Sequence, residues 1–148
     1  MNDIKNQIDI VLVETSHPGN IGSVARAMKT MGLKNLILVN PKEFPSKEAF
    51  ILSGNAQDVI EEAIVVDTLD DAIRDSNNIY ATSARTRTIS WPIISADQAG
   101  KEINKNIKKN SKTSIIFGRE DRGLTNDELQ KANTVSYTHL TLPTTVIV

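Results

Sequence analysis

Short runs of aliphatic residues recur along this chain of 148 residues, and amphipathic segments separate one run from the next. The runs are rich in Ile and Val and alternate little between apolar and polar residues, which is typical of buried strands in a parallel sheet. Helical segments between such strands predict β-α-β units with right-handed crossovers. The sequence therefore predicts an α/β fold, a mostly parallel sheet with helices on both faces. The predicted strands are Ile8–Val13, Leu36–Val39, Ile64–Val66, Ile79–Thr82 and Ser114–Phe117.

Capping and breaking residues set the expected boundaries of the helices. Asn20 is expected to cap a first helix that runs to about Met31 and stops at Gly32. The polar stretch Ser83–Ile94 is expected to be a long loop. Further helices are predicted at Lys47–Leu52, at Ala56–Glu62, after the cap Thr68, and after capping boxes that begin at Ser95 and Thr125.

Composition excludes several kinds of site. The chain has no cysteine, two histidines and a formal net charge of -1. Disulfides and thiolate chemistry are therefore excluded, and no metal site is expected because His17 and His139 are far apart in sequence. A surface for nucleic acid would have to be local, since the overall charge gives no such signal. The polar N-terminus does not resemble a signal peptide and no run could span a membrane, so a cytoplasmic protein is expected.

The loop after the first strand has an unusual content of glycine and polar residues. It runs from Glu14 to Asn20 and leads into the helix that carries Arg26. Ligands of open α/β sheets bind beyond the carboxyl ends of the strands, where this loop lies. Gly19 and Gly22 would allow a tight turn and a close approach to the helix start, which would suit an anion. Arg26 lies off the apolar stripe of the helix, so an ordinary solvated arginine would explain it equally well.

Two further loops leave predicted strand ends. In Thr82–Arg87, two arginines beside hydroxyl side chains suit phosphate contacts, although a solvated polar loop would have the same composition. In Phe117–Thr125, two glycines bracket four charged residues. That run could form a surface turn with weak ion pairs, or a backbone cradle for a ligand in which Glu120 orders the loop.

Taken together, the three loops resemble the SPOUT superfamily of RNA ribose methyltransferases, and in particular its TrmJ-type subfamily. Glu14–Leu33 resembles the first motif of the superfamily, and Phe117–Leu129 resembles the second. Thr82–Arg87 resembles a Thr-Ser-Ala-Arg segment typical of the subfamily. The similarity extends over Ile8–Ala132. Each segment alone is weak evidence for the family, but the three segments in this order and at this spacing are specific for it.

The resemblance implies a function and an assembly. It implies S-adenosylmethionine as the methyl donor and tRNA as the substrate, with the ribose 2′-hydroxyl of nucleotide 32 in the anticodon loop as the acceptor. It implies an α/β-knot fold, whose C-terminal segment threads a loop. It also implies a homodimer in which residues of both chains line the site, and it implies no metal.

The resemblance also assigns roles to residues. Arg26 matches the catalytic arginine of the first motif, and Asn20 matches the asparagine beside it. Because a guanidinium stays protonated in proteins, binding a phosphate and stabilising the developing alkoxide is easier to defend for Arg26 than a role as base. The positions that match the cofactor pocket are Thr82, Ser83, Ala84 and Gly118. Glu120 matches the glutamate of the second motif, which is taken to support the loop and the RNA side. Arg85 and Arg87 are assigned to the RNA side because their loop suits phosphate contacts.

The last residues depart from the family pattern. Residues 1–137 match a methyltransferase domain that is incomplete at its C-terminus, and residues 138–148 form a tail without the Ser-Leu-Asn segment and final helix of the family. The hypothesis is a truncated or frame-shifted gene, with weak or absent activity for the chain as written. Two alternatives remain: a catalytically inactive RNA-binding module of the same fold, and an unrelated doubly wound nucleotide-binding protein.

Overall fold

The computed structural model of the protein describes residues 6–83, 93–106 and 111–137. Within these ranges the strands are β1 (Ile8–Val13), β2 (Asn35–Val39), β3 (Ile64–Val66), β4 (Asn78–Ser83), β5 (Ile93–Ser95), β6 (Thr113–Phe117) and β7 (Thr134–Tyr137). The helices are α1 (Pro18–Met31), α2 (Lys47–Leu52), α3 (Gln57–Glu61), α4 (Leu69–Ile73), α5 (Ala96–Asn106) and α6 (Asn126–Leu129).

The strands form one sheet in the order β3-β2-β1-β6-β4-β7-β5, and every pairing between them is parallel. The first predicted β-α-β unit is present as β1-α1-β2. Its two strands are parallel, and Leu12 lies opposite Leu38. The predicted knot segment would follow β7, and it lies outside the described residues. Among those residues, no helix has the length and apolar character needed to cross a membrane.

Two apolar cores lie on opposite faces of the sheet, because successive residues of a strand point in opposite directions. On one face, Val11 and Val13 pack with residues of α4 and α6 such as Leu129. On the other face, Ile10 and Leu12 pack with α1, α2 and α3. The prediction of an α/β sheet with helices on both faces is confirmed.

The start of α1 differs from the prediction. The helix begins at Pro18 and the residue at the cap position is His17, so Asn20 lies inside the first turn. Proline suits the first helical position because its fixed backbone angle is already helical and it has no N–H to leave unpaired. The prediction that Asn20 caps the helix is therefore wrong, and its side chain makes a longer-range contact described below. The predicted stop at Gly32 is confirmed.

The predicted loop Ser83–Ile94 and the predicted capping box at Thr125 have different outcomes in the structure. The predicted loop Ser83–Ile94 overlaps β4 at Ser83 and ends inside β5, a strand of three residues whose pairing partner, β7, is remote in sequence. Residues 84–92 of that loop lie outside the described residues. By contrast, the capping box at Thr125 is present as predicted, with Thr125 and Glu128 each bonded to the other's backbone N–H.

Helix α1 packs closely against α2, and two glycines of α1 face that contact. A Cβ atom on Gly22 would collide with the carbonyl oxygen of Ala49, and one on Gly19 would lie 2.8 Å from Cδ1 of Leu52. Both glycines therefore serve helix packing, whereas the sequence suggested a tight turn open to an anion. This contact fixes the C-terminal end of α2 against the middle of α1.

We expect Gly22→Ala to lower the free energy of unfolding by about 1–3 kcal/mol, because the added methyl group overpacks a contact with rigid backbone. Urea denaturation measures the change. The matched control is Gly100→Ala on α5, where a Cβ would have no atom within 4 Å and alanine favours the helix. Equal stability of the Gly22→Ala and native proteins would contradict the described packing.

Candidate active site at the carboxyl edge of the sheet

The three loops singled out in the sequence leave adjacent strands. β6 pairs with β1 on one side and with β4 on the other, and all three run parallel. Their carboxyl ends therefore lie side by side at one edge of the sheet. The loop after β1 and the loop after β6 meet there, and the loop after β4 begins there at Ser83.

The carboxylate of Glu120 joins the loop after β6 to the start of α1. Its Oε1 accepts hydrogen bonds from the backbone N–H and the hydroxyl of Ser16, each at 3.1 Å. Its Oε2 accepts bonds from the backbone N–H of His17 at 3.1 Å and from Nδ2 of Asn20 at 3.0 Å. We call this set of four bonds the Glu120 clamp. Of the backbone N–H groups at the start of α1, the remote carboxylate accepts that of His17, the residue at the cap position.

The electrostatics of the clamp favour a charged carboxylate. Burial favours the neutral acid, but the hydrogen bonds from Asn20, Ser16 and His17 outweigh it and lower the pKa of Glu120 to about 2. The positive end of the α1 dipole adds to this preference. The start of α1, which the sequence suggested as a site for a ligand anion, therefore already holds an anion of the protein itself.

We expect Glu120→Gln to destabilise the protein at neutral pH and to remove part of its dependence on pH. The pKa of Glu120 in the folded protein lies below the ordinary value of 4.5. The charged carboxylate therefore adds to the free energy of unfolding above pH 4.5, and this contribution is lost as the pH falls towards about 2. The measurement is urea denaturation of both proteins between neutral and acidic pH, and the difference between them should shrink over that window. The control Asp121→Asn changes an exposed carboxylate 3.8 Å from Arg122 and should show no such trend. A difference that stays constant down to low pH would contradict the clamp.

Arg119 holds the same loop from the opposite side. Its Nη1 and Nη2 donate to the two carboxylate oxygens of Glu128, both at 2.8 Å. Its Nε donates to Glu14 at 3.1 Å, and Nη1 also donates to the carbonyl of Gly123 at 3.1 Å. The side chain is only 11% exposed, so these contacts are screened little by solvent. Arg119 thus ties the loop to the end of β1 and to α6.

The charges of this network stabilise one another. Hydrogen bonds to Glu128 and Glu14 raise the pKa of the Arg119 guanidinium. Burial favours the neutral form of Glu128, but its bonds with Arg119 and Thr125 outweigh that effect and lower the pKa of the carboxyl. The sequence left two readings open for this charged run, a surface turn with weak ion pairs or a cradle in which Glu120 orders the loop. The first does not describe Arg119, which is only 11% exposed and bidentate, and Glu120 does order the loop.

The loop between Gly118 and Leu124 is a narrow hairpin. The backbones of Arg119 and Gly123 exchange two hydrogen bonds, at 3.1 and 2.8 Å. A Cβ atom on Gly118 would collide with the backbone of Gly123 and Leu124, so only glycine fits there. The hairpin is therefore fixed by its own backbone, by Arg119 and by the Glu120 clamp.

The residues predicted to line the cofactor pocket fall in different environments. Thr82 is buried, and its hydroxyl donates to the carbonyl of Ile116 at 2.9 Å, so the hydroxyl joins β4 to β6. The register of β4 and β6 ends at the pair Ala81 and Ile116, so Ser83 and Gly118 each lie two residues beyond it. Ala84, Arg85 and Arg87 lie outside the described residues.

Arg26 does not join the cluster within one chain. It lies on the exposed side of α1, six residues after Asn20, which is about 9 Å along a helix. Its side chain passes close to Gly54, which follows α2. The structure therefore brings Asn20, Glu120 and Gly118 together and leaves Arg26 outside that group.

Sequence reasoning missed three site residues: Arg119, Glu14 and Glu128. Glu128 was identified only as part of a local capping box, and no short-range pattern shows that its carboxylate also receives Arg119. The one available signal was the charged run between two glycines. Among the described residues, no group of three or more acidic or histidine side chains could hold a metal ion.

Comparison with known proteins identifies the family. The model of the SpoU rRNA methylase family matches residues 7–144. The chain belongs to this family. A relative from Citrobacter koseri, named tRNA (cytidine/uridine-2′-O-)-methyltransferase TrmJ, is 54% identical over 127 residues, which are 85% of this chain and 51% of the relative. This chain thus spans about half the length of that curated relative.

Solved structures agree with the fold. TrmJ from Z. mobilis ZM4 has a TM-score of 0.83 and 33% identity, covering 91% of this chain and 59% of the other. The SpoU methyltransferase AviRb from Streptomyces viridochromogenes, solved in complex with AdoMet, has a TM-score of 0.66 and 15% identity, covering 95% of this chain and 53% of the other. At that identity the likeness to AviRb shows a shared fold.

Proposed function

We propose that the protein methylates tRNA, transferring a methyl group from S-adenosylmethionine to the ribose 2′-hydroxyl of nucleotide 32 in the anticodon loop. One observation carries the proposal: the two motif segments lie at adjacent strand ends and are joined by the Glu120 clamp. The TrmJ relative, whose name gives the reaction and the substrate class, supports it. We expect the protein to act in the cytoplasm.

The donor would lie at the carboxyl ends of β6, β4 and β7, which are adjacent strands. Ser83 and Gly118 each lie two residues beyond the last pair of β4 and β6, and the hairpin leaves no room for a side chain at Gly118. Thr82 would contribute through its backbone, because its hydroxyl already bonds to β6. Bound donor supplies a methyl group on a cationic sulfur. The role of this edge is to hold that group in line with the acceptor oxygen, and alignment of this kind contributes about 7–11 kcal/mol.

The transfer forms a bond between the ribose oxygen and the methyl carbon and breaks the bond from that carbon to sulfur, which keeps the electron pair and becomes a neutral thioether. The hydroxyl proton passes to solvent water. We assign Arg26 to the RNA side of this step, where its guanidinium binds the neighbouring phosphate and stabilises the charge that develops on oxygen. Asn20 supports the site from within the Glu120 clamp. Arg85 and Arg87 are further candidates for phosphate contacts.

A homodimer would bring Arg26 to a donor. In one chain Arg26 stands apart from the loop cluster, so we propose that Arg26 of each chain serves the site of the other. Two exposed apolar side chains, Ile51 at 65% and Leu52 at 41% exposure, lie at the end of α2, the helix that packs against α1, and support an interface on this side.

We further propose that residues 1–137 form the methyltransferase domain and that residues 138–148 do not belong to it. Two proteins test this division together with the function. One is the chain itself, and the other is a fusion in which the C-terminal portion of the Citrobacter koseri relative follows Tyr137. The assay is the transfer of labelled methyl from S-adenosylmethionine to tRNA.

We expect strong transfer by the fusion and weak or no transfer by the chain itself, because the sequence of residues 138–148 departs from the family pattern. In the fusion, Arg26→Ala should abolish transfer and leave the affinity for donor, measured by calorimetry, largely unchanged. Donor affinity and transfer lost together would contradict the assigned role of Arg26. A fusion that binds tRNA but no donor would favour the alternative, an inactive RNA-binding module.

A further inference from the structure

Glu14, the first residue after β1, holds a backbone conformation that glutamate rarely adopts. Its φ is 51°, in the left-handed region where a Cβ atom comes close to the backbone. Strained residues of this kind persist only where their surroundings fix them, and they cluster at functional sites. Either the backbone turn or the side chain must therefore account for a glutamate at this position.

The backbone turn does not account for the glutamate, because the end of β2 makes the same turn. Asn40, the first residue after β2, has a φ of 46°. Its N–H donates to the carbonyl of Val66 on β3 at 2.9 Å, and the N–H of Glu14 likewise donates to the carbonyl of Val39 on β2 at 2.8 Å. After β2 the turn is made by asparagine, a residue that tolerates the left-handed region. The turn after β1 could therefore be made without a glutamate.

The side chain of Glu14 bonds to the hairpin after β6. Its Oε1 accepts a hydrogen bond from Nε of Arg119 at 3.1 Å. Both Nη atoms of Arg119 bond to Glu128 at 2.8 Å, so Glu14 takes the third nitrogen of the guanidinium. The side chain of Glu14 is 35% exposed and that of Arg119 is 11% exposed, so solvent screens this contact less than it screens a surface ion pair. Glu14 thus links Arg119 to the end of β1, whereas Glu128 links it to α6.

The link from Glu14 reaches the proposed donor site through the hairpin. Gly118, which borders that site, directly precedes Arg119. The backbones of Arg119 and Gly123 exchange hydrogen bonds at 3.1 and 2.8 Å, so a displacement of Arg119 would carry Gly118 with it. Without the carboxylate of Glu14, the hairpin would keep the Glu120 clamp and the bonds to Glu128. It would lose the side-chain bond that holds it against the end of β1.

We propose that Glu14 is a positioning residue for methyl transfer, which acts through Arg119 to hold the hairpin and Gly118 in place for the donor. This inference rests on the proposed function. A strained glutamate is kept after β1 because its carboxylate orders the hairpin before the donor binds, and such preorganisation reduces the cost of binding and alignment. Glu14 contacts neither donor nor RNA in this role. A neutral side chain of the same shape should therefore serve almost as well, provided that its oxygen accepts from Arg119.

Three substitutions of Glu14 separate the backbone strain from the side-chain contact. Glu14→Ala and Glu14→Gly both remove the carboxylate, but only glycine adopts a positive φ without strain. Glu14→Gln keeps the strain and keeps an oxygen that can accept from Arg119. The matched controls are Asn40→Ala and Asn40→Gly, which introduce the same two residues into the same turn after β2.

The first readout needs no activity and uses the chain itself. We expect the midpoint of urea denaturation to be higher for Glu14→Gly than for Glu14→Ala, because only alanine is strained at a positive φ. NMR follows the Nε–Hε signal of Arg119, assigned by through-bond correlation to its backbone. That signal should be protected from exchange in the native chain and in Glu14→Gln, and should shift and exchange faster in Glu14→Ala and Glu14→Gly. Equal urea midpoints for the alanine and glycine variants, or a native Arg119 signal in all three variants, would overturn the inference.

The second readout is methyl transfer by the fusion described above. We expect Glu14→Ala and Glu14→Gly to lower kcat equally, by roughly 10- to 100-fold, the loss that a misplacement of about 1 Å produces. Glu14→Gln and both Asn40 variants should keep most of the native rate. A kcat that follows stability, with the glycine variant well above the alanine variant, would mean a structural role alone and would overturn the inference. Loss of transfer in Glu14→Gln beside a native Arg119 signal would make the charge part of the reaction and would also overturn it.

A failure of the proposed function would give a different result. If the fusion with native Glu14 transferred no methyl group to tRNA, the proposed function would fail, and the role of Glu14 in transfer would fail with it. The Arg119 signal and the urea midpoints would still decide whether Glu14 holds the hairpin.

Discussion

The loop after β6 is held from two sides, and the rest of the candidate site depends on that arrangement. Glu120 accepts four hydrogen bonds from the start of α1, on one face of the sheet. The preceding residue, Arg119, bonds to Glu128 of α6, on the other face. Two adjacent residues of opposite charge thus bond to the two helical layers on either side of the sheet. The hairpin is thereby fixed over the carboxyl ends of β1, β6 and β4.

This arrangement divides the candidate site into two parts. The strand edge with Gly118 is rigid, because its hairpin is tied to both layers and closed by its own backbone. Arg26 is exposed and lies six residues after Asn20 on α1, about 9 Å along the helix. In the proposed function the first part holds the donor and the second part addresses the RNA, so assembly of two chains would complete the site.

The sequence predicted those features that depend on neighbouring residues. The strands, the stop at Gly32 and the capping box at Thr125 follow from local patterns and are present in the structure. The cap at Asn20 was predicted wrongly because α1 already begins at Pro18, and the Asn20 side chain instead donates to Glu120, which is 100 residues further on. The burial of Arg119 depends on contacts between β1 and α6, which no local pattern encodes. The family resemblance identified the converging loops, and the geometry supplied the contacts that hold them.

Amide hydrogen exchange at Ser16 and His17 tests the central claim most directly, since both N–H groups donate to Glu120. In the native chain these two amides should exchange more slowly than is usual for amides at the edge of a loop. In Glu120→Ala they should exchange much faster, while the amides inside β1 keep their native rates. Unchanged exchange at Ser16 and His17 in the variant would show that the carboxylate does not hold the start of α1, and would contradict the account.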